Sequence, residues 1–167
     1  ERLAASWFRK AALQGIADAQ YNMGVLREQG SGLPKDEKLA LFWYLSAAEQ
    51  NHARAQHNLG VMYAGGWGTP RNYLESRKWF NKAAESGLAA TQYSLGTLFE
   101  HGLGGPVDRV AANRWYHRAA DGGNALAAGA RGVGVERTKI KLFVLCSAMA
   151  GFAGIISSIR TAAANPN

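Results

Sequence analysis

Along the first three quarters of the chain, apolar residues recur at i, i+3 and i+4 in blocks long enough for three or four helical turns, and short polar or glycine-rich stretches separate them. No block alternates with a period of two, so the pattern predicts helices and no strands. One set of blocks, helix A, runs over 16–29, 52–65 and 88–101; the other, helix B, over 36–50, 72–86 and 108–121, and an unpaired helix B precedes them over 1–14. Asp36, Asn72 and Asp108 stand where the first amides of helix B are free, and their side chains suit the N-cap position. Gly15, Gly87 and Gly123, with Asn51 in the remaining copy, suit the left-handed residue that closes a helix.

The blocks are copies of one another. Trp7, Trp43, Trp79 and Trp115 are each 36 residues apart, each followed by an aromatic (Phe8, Tyr44, Phe80, Tyr116) and, four residues after Trp, by an Ala-Ala pair. Helix A repeats as Ala19-Gln20-Tyr21-Asn22-Met23-Gly24, Ala55-Gln56-His57-Asn58-Leu59-Gly60 and Thr91-Gln92-Tyr93-Ser94-Leu95-Gly96. The loop between helices carries two Gly and a Pro each time: Gly30, Gly32 and Pro34; Gly66, Gly68 and Pro70; Gly102, Gly104 and Pro106. Gly24, Gly60, Gly96 and the alanines remove bulk where helices approach, and the aromatics fill the space between them. A single helix pair cannot bury its apolar face, so neighbours must stack as an all-α solenoid.

These residues resemble the Sel-one-like repeat, a relative of the tetratricopeptide repeat whose pattern reads A-x-A-Q-Y-N-L-G, a Gly-rich loop, then A-x-x-W-Y-x-x-A-A-x-x-G. The resemblance covers 1–124, with repeats at about 16–51, 52–87 and 88–123. It implies a right-handed α-solenoid of paired antiparallel helices that works as a protein-interaction scaffold in bacteria. Two residues depart from the pattern: His57 replaces the usual Tyr, and Arg27 stands where later units have Tyr63 and Phe99.

Composition divides the chain further. Its net charge is +7, of which +3 lies in 1–124 and +4 in 125–167. A nearly balanced repeat array is not the footprint of a nucleic-acid binder. In 125–167 the register continues through Ala127 and Gly132, but Ala128, Gly129, Ala130 and Arg131 replace the Gln-Tyr-Asn-Leu motif, which predicts a weak helix or loop. There follows an uncharged run over 142–159, LFVLCSAMAGFAGIISSI, bracketed by Arg137, Lys139, Lys141 and Arg160. Its 18 residues make about 27 Å of helix, near the lower limit for a bilayer span. The stretch from Gly132 to Ala162 is similar to part of the membrane permease of ribose-type ABC transporters. This reading leaves open a membrane tether, an accessory role in a transport system, a join of unrelated parts, and an apolar helix capping the solenoid. The start at Glu1 reads as a processed chain or a fragment.

Candidate chemistry is sparse. One cysteine excludes a disulfide scaffold, and Cys146 lies in the apolar run as packing. His52 and His57 fall on different faces without a third ligand, so neither a metal nor a cofactor is expected. Glu100-His101 has no visible third group to orient it. No His-Glu-x-x-His occurs, and the Ser-x-x-Lys needed for β-lactamase chemistry, sometimes attributed to this repeat family, is missing. A hydrolase is therefore disfavoured. The loops lack the G-x-x-x-x-G-K-[ST] spacing of a phosphate cradle and read as turns. What remains is surface. Asp18, Arg54 and Ala90 share one helix-A register position with three different characters, and Asn22, Asn58 and Ser94 share another that is uniformly polar. Trp67, where other loops carry Ser31 and Leu103, is a candidate anchor unless it folds back on helix B. The expected partner is a protein or peptide held on the concave helix-A face.

Overall fold

The computed structural model describes residues 2–129. Its helices are α1 (Arg2–Leu13), α2 (Ala17–Gln29), α3 (Glu37–Glu49), α4 (Ala53–Gly65), α5 (Tyr73–Glu85), α6 (Ala89–His101) and α7 (Arg109–Asp121), and a further helical stretch begins at 125. There is no strand among the described residues. Helices α2, α4 and α6 are the A helices; α1, α3, α5 and α7 are the B helices. All belong to one compact unit, Glu1–Ala128.

Local chemistry sets each boundary. Asp36, Asn72 and Asp108 accept from the amides of Leu39, Glu75 and Ala111 at 2.9–3.1 Å, so every complete helix B starts on the predicted cap. Gly15, Asn51, Gly87 and Gly123 all have positive φ, between 63° and 86°. Immediately after them the amides of Ile16, His52 and Asn124 reach back to the carbonyls of Ala11, Ala47 and Ala119, closing helix B and turning the chain into the next helix A. The longer A-to-B connection is pinned by a bond from the Asp36, Asn72 and Asp108 amides to the carbonyls of Arg27, Tyr63 and Phe99, at 2.8, 2.8 and 2.9 Å.

Packing is sequential: each helix lies mainly against its neighbours in the chain. Tyr44, Phe80 and Tyr116 of helix B press onto Gly24, Gly60 and Gly96 of the helix A before them, where a Cβ would come within 2.5–2.7 Å of the ring. Glycine is required there by close approach, not by its φ. Ala47, Ala83 and Ala119 are fully buried, so the small-residue reading of both helices holds.

A buried polar ladder ties successive units. Gln20, Gln56 and Gln92 donate from Nε2 to the carbonyls of Ala12, Ala48 and Ala84 at 3.1–3.3 Å. Each glutamine satisfies a carbonyl in the last turn of the preceding helix B. Gln50 adds a bond to Gln20 Oε1 at 2.7 Å, joining the ends of α3 and α2.

The degenerate repeat begins as helix at 125–129, its start capped by Asn124, which accepts from the Ala127 amide at 3.1 Å, and Ala127 is buried at its register position. Arg131, Cys146 and the apolar run over 142–159 lie outside the described residues.

Candidate partner-binding surface

The fold separates two kinds of helix-A position. Ala19, Gln20, Met23 and Gly24, with their counterparts in α4 and α6, face inward and are buried. Asp18, Arg54 and Ala90 are exposed, and Asn22, Asn58 and Ser94 are half-buried. The six residues therefore occupy equivalent places on three A helices.

They are not equally free to act. Asp18 stands 3.1 Å from His52 Nε2, with its carboxylate open to solvent. His52 is the N-cap of α4: its Nδ1 accepts from the Ala55 amide at 3.1 Å, so the ring proton sits on Nε2 and is directed to Asp18. The ring also stacks on Tyr21 at 4.7 Å. His52 therefore fixes the junction between the first two A helices, a role that its spacing from His57 did not suggest. Arg54 forms no ion pair among the described residues. Ser94 Oγ donates to the Ala90 carbonyl of its own helix at 3.0 Å, so its hydroxyl proton is spent within α6.

Asn58 stands beside the Tyr44 hydroxyl, which donates to Glu28 Oε2 at 2.6 Å. Burial first, then the Glu28 carboxylate, push the Tyr44 phenol far above its usual range, and Asn58 opposes them. Tyr116 repeats the arrangement with Glu100 at 2.6 Å, and burial and that carboxylate push it up to about 12. In the middle unit His57 contacts the Phe80 ring, and its Nδ1 lies 2.9 Å from Thr91 Oγ1 of the next helix A. Burial holds His57 below the usual imidazole range.

Trp67 is 45% exposed. Its indole lies over Gly65, where a Cβ would come within 2.7 Å of the ring. It therefore folds onto the end of helix A, and it remains partly open to solvent.

The Gly-rich loops are turns. Gly30, Gly66 and Gly102 cap helix A in the left-handed conformation. Asp36 is committed to its cap and Lys35 to Glu37 at 3.1 Å. Among the described residues no three His, Cys, Asp or Glu side chains gather to hold a metal, and no helix is long and apolar enough to cross a membrane.

Comparison with known proteins follows the same division. The family model described as Sel1 repeat matches residues 1–16, 17–52, 53–88 and 89–124. A second, described as the permease component of a branched-chain amino acid transport system, matches 117–167, overlapping the end of α7 and agreeing with the permease-like reading of the tail. No curated protein matches. Among solved structures, a protective antigen of uropathogenic Escherichia coli with an SLR fold is 41% identical, with a TM-score of 0.78 over 80% of this chain and 28% of its own. A Sel1 repeat protein from Oxalobacter formigenes is 38% identical, with a TM-score of 0.72 over 75% of this chain and 50% of its own. The cysteine rich protein B of Helicobacter pylori, 18% identical with a TM-score of 0.60 over 75% of this chain and 95% of its own, shares the fold. This chain thus spans 28% and 50% of the first two proteins. Sel1-repeat proteins are generally protein-interaction scaffolds and typically non-catalytic. With four successive repeats matched over residues 1–124, the chain belongs to the Sel1 repeat family.

Proposed function

We propose that this protein is a non-enzymatic scaffold that holds a partner protein or extended peptide along its helix-A face, the concave side of the solenoid. The observation that carries the reading is the contrast between positions of one helix. Gln20, Gln56 and Gln92 are identical and buried, whereas Asp18, Arg54 and Ala90, two residues earlier, are exposed and differ in every unit. Asn22 and Asn58 offer amides that can pair with a peptide backbone, Asp18 and Arg54 set opposite charges on neighbouring units, and the free face of Trp67 supplies an apolar anchor.

Photo-crosslinking from positions 22, 58 and 94, with controls at the exposed helix-B residues Leu74 and Val110, tests this directly. Adducts should form from the helix-A positions and disappear in an Asp18→Lys, Arg54→Glu, Asn58→Ala variant. A partner held with unchanged affinity by that variant would remove the proposal.

A second reading rests on the permease match over 117–167: the tail places the repeats at a membrane as an accessory part of a transport system. Detergent partitioning distinguishes the two. A full chain that remains monomeric in water and never enters the detergent phase has no spanning segment.

A further inference from the structure

One charge on the helix-A surface is held in place by a buried residue. The His52 side chain is only 15% exposed, fixed by its cap bond to the Ala55 amide and by stacking on Tyr21, and its Nε2 donates to Asp18 Oδ1 at 3.1 Å. The Asp18 side chain it holds is 86% exposed. A cation arriving from solvent would therefore meet a carboxylate that is already ordered, without the usual cost of immobilising a surface side chain. Other units lack the arrangement. The register equivalents of His52 are Ile16, Leu88 and Asn124, and in the A helices preceding Leu88 and Asn124 the place of Asp18 is taken by Arg54 and Ala90. Donor and carboxylate occur together, in one unit. Arg54, at the same register on the next helix A, is exposed and forms no ion pair among the described residues. Opposite charges thus stand side by side on α2 and α4, and helices that meet through side chains, as these do at Asp18 and His52, have axes about 8–10 Å apart.

We infer that Asp18 and Arg54 read a partner segment in the polyproline II conformation that carries a basic and an acidic residue three positions apart, the basic one on Asp18 and the acidic one on Arg54. The inference rests on the helix-A reading above and adds the partner's conformation and charge spacing. Three residues of polyproline II rise about 9 Å and return the side chain to the same side, which matches the separation of the two helices. Same-side residues of a β-strand fall about 7 or 13 Å apart and match it poorly. Residues seven apart on an α-helix, at about 10.5 Å, would match the charges alone. Asn22 and Asn58, one helical turn beyond Asp18 and Arg54, decide between them. Their amides need an open backbone, which polyproline II offers and a helix, bonded to itself, does not.

The test uses the full chain and fluorescent peptides of about nine residues on an alanine–proline background, with Arg and Glu two, three or four positions apart, each in both orders. In the order that binds better, a spacing of three should bind at least about threefold tighter than the others. His52→Asn copies Asn124, which caps its own helix from the same register, so the cap is kept and the tether to Asp18 is lost. Asp18→Asn keeps a partner for His52 and removes the charge. Either variant should lose about threefold in affinity for the spacing-three peptide and leave that of an uncharged peptide unchanged, a selectivity that a merely structural role would not move; circular dichroism confirms that the repeats remain folded. No binding by any charged peptide, equal affinity at all spacings, or a preference that survives both variants overturns the inference. So does tighter binding of a lactam-bridged helical peptide with the charges seven apart. The scaffold reading fails separately: crosslinks from positions 22 and 58 to a peptide bound without spacing preference leave it standing, and crosslinks confined to Leu74 or Val110 remove it.

Discussion

Tyr44 donates to the Glu28 carboxylate at 2.6 Å across the seam between α3 and α2, and one unit later both groups are replaced together, by Phe80 and Ala64. The pair is an inter-helix clasp that a unit either has in full or lacks in full. Removing one half should cost more than removing both. Tyr44→Phe should cost about 1 kcal/mol and Glu28→Ala about 1–2 kcal/mol, since the latter leaves a buried hydroxyl with Asn58 as its remaining neighbour. The double variant, which copies the middle unit, should lose less than the sum, and urea unfolding of the four proteins measures the coupling.

The seating glycines oppose helix propensity to steric fit. Gly60→Ala would gain up to about 1 kcal/mol in helix propensity, but its new Cβ would stand 2.7 Å from the Phe80 ring. Overpacking of this kind costs about 1–3 kcal/mol, so a net loss of about 1–2 kcal/mol is expected in thermal or urea unfolding. A stabilised variant would show that α4 and α5 can separate freely.

The turn glycines behave differently because their limit is φ, not space. A Cβ at Gly87 meets nothing within 4 Å, but its φ is +85°. Gly87→Asn should be nearly neutral, as Asn51 already occupies this conformation with φ 63°. Gly87→Val should lower stability by about 1–2 kcal/mol, and comparison of the two melting temperatures separates backbone strain from lost packing.

Acid sensitivity should be concentrated at His57. Its folded pKa lies below the unfolded value of 6.5 because burial disfavours the charged ring. Below 6.5 the unfolded chain therefore binds the proton more readily, so stability falls as pH drops from 6.5 toward the folded value and is fully present above 6.5. His57→Tyr, restoring the residue type of Tyr21 and Tyr93, should remove this share of the slope in unfolding free energy between pH 5 and 7.

The buried glutamines give a prediction about communication between units. Gln56→Leu removes the bond to the Ala48 carbonyl at 3.1 Å and should cost about 1 kcal/mol or more. Hydrogen exchange should show the loss in the last turn of α3 and the first of α4, not along the whole array.

What could be read without coordinates was whatever the chain repeats or settles locally. The period of 36 residues, the caps at Asp36, Asn72 and Asp108 and the left-handed closures at Gly15 and Asn51 depend on residues within a turn or two, and repetition made each visible three or four times over. The surface positions Asp18, Arg54, Asn22 and Asn58 could be chosen by the same register. Their neighbours could not. His52 as a cap that also holds Asp18, Tyr44 clasping Glu28, and Gln50 meeting Gln20 join residues 16 to 34 apart, and only the packing of helices within and between units brings them together. Trp67 shows the limit most directly. Its place in the loop was plain, but that its ring lies over Gly65 at the end of helix A is visible only in the fold. The sequence by itself determined the units and their order, because capping and helical periodicity act over a few residues. Tertiary structure alone decided which polar side chains are spent on the fold and which stay open to solvent, because hydrogen-bond satisfaction in a buried seam depends on what the neighbouring helix presents.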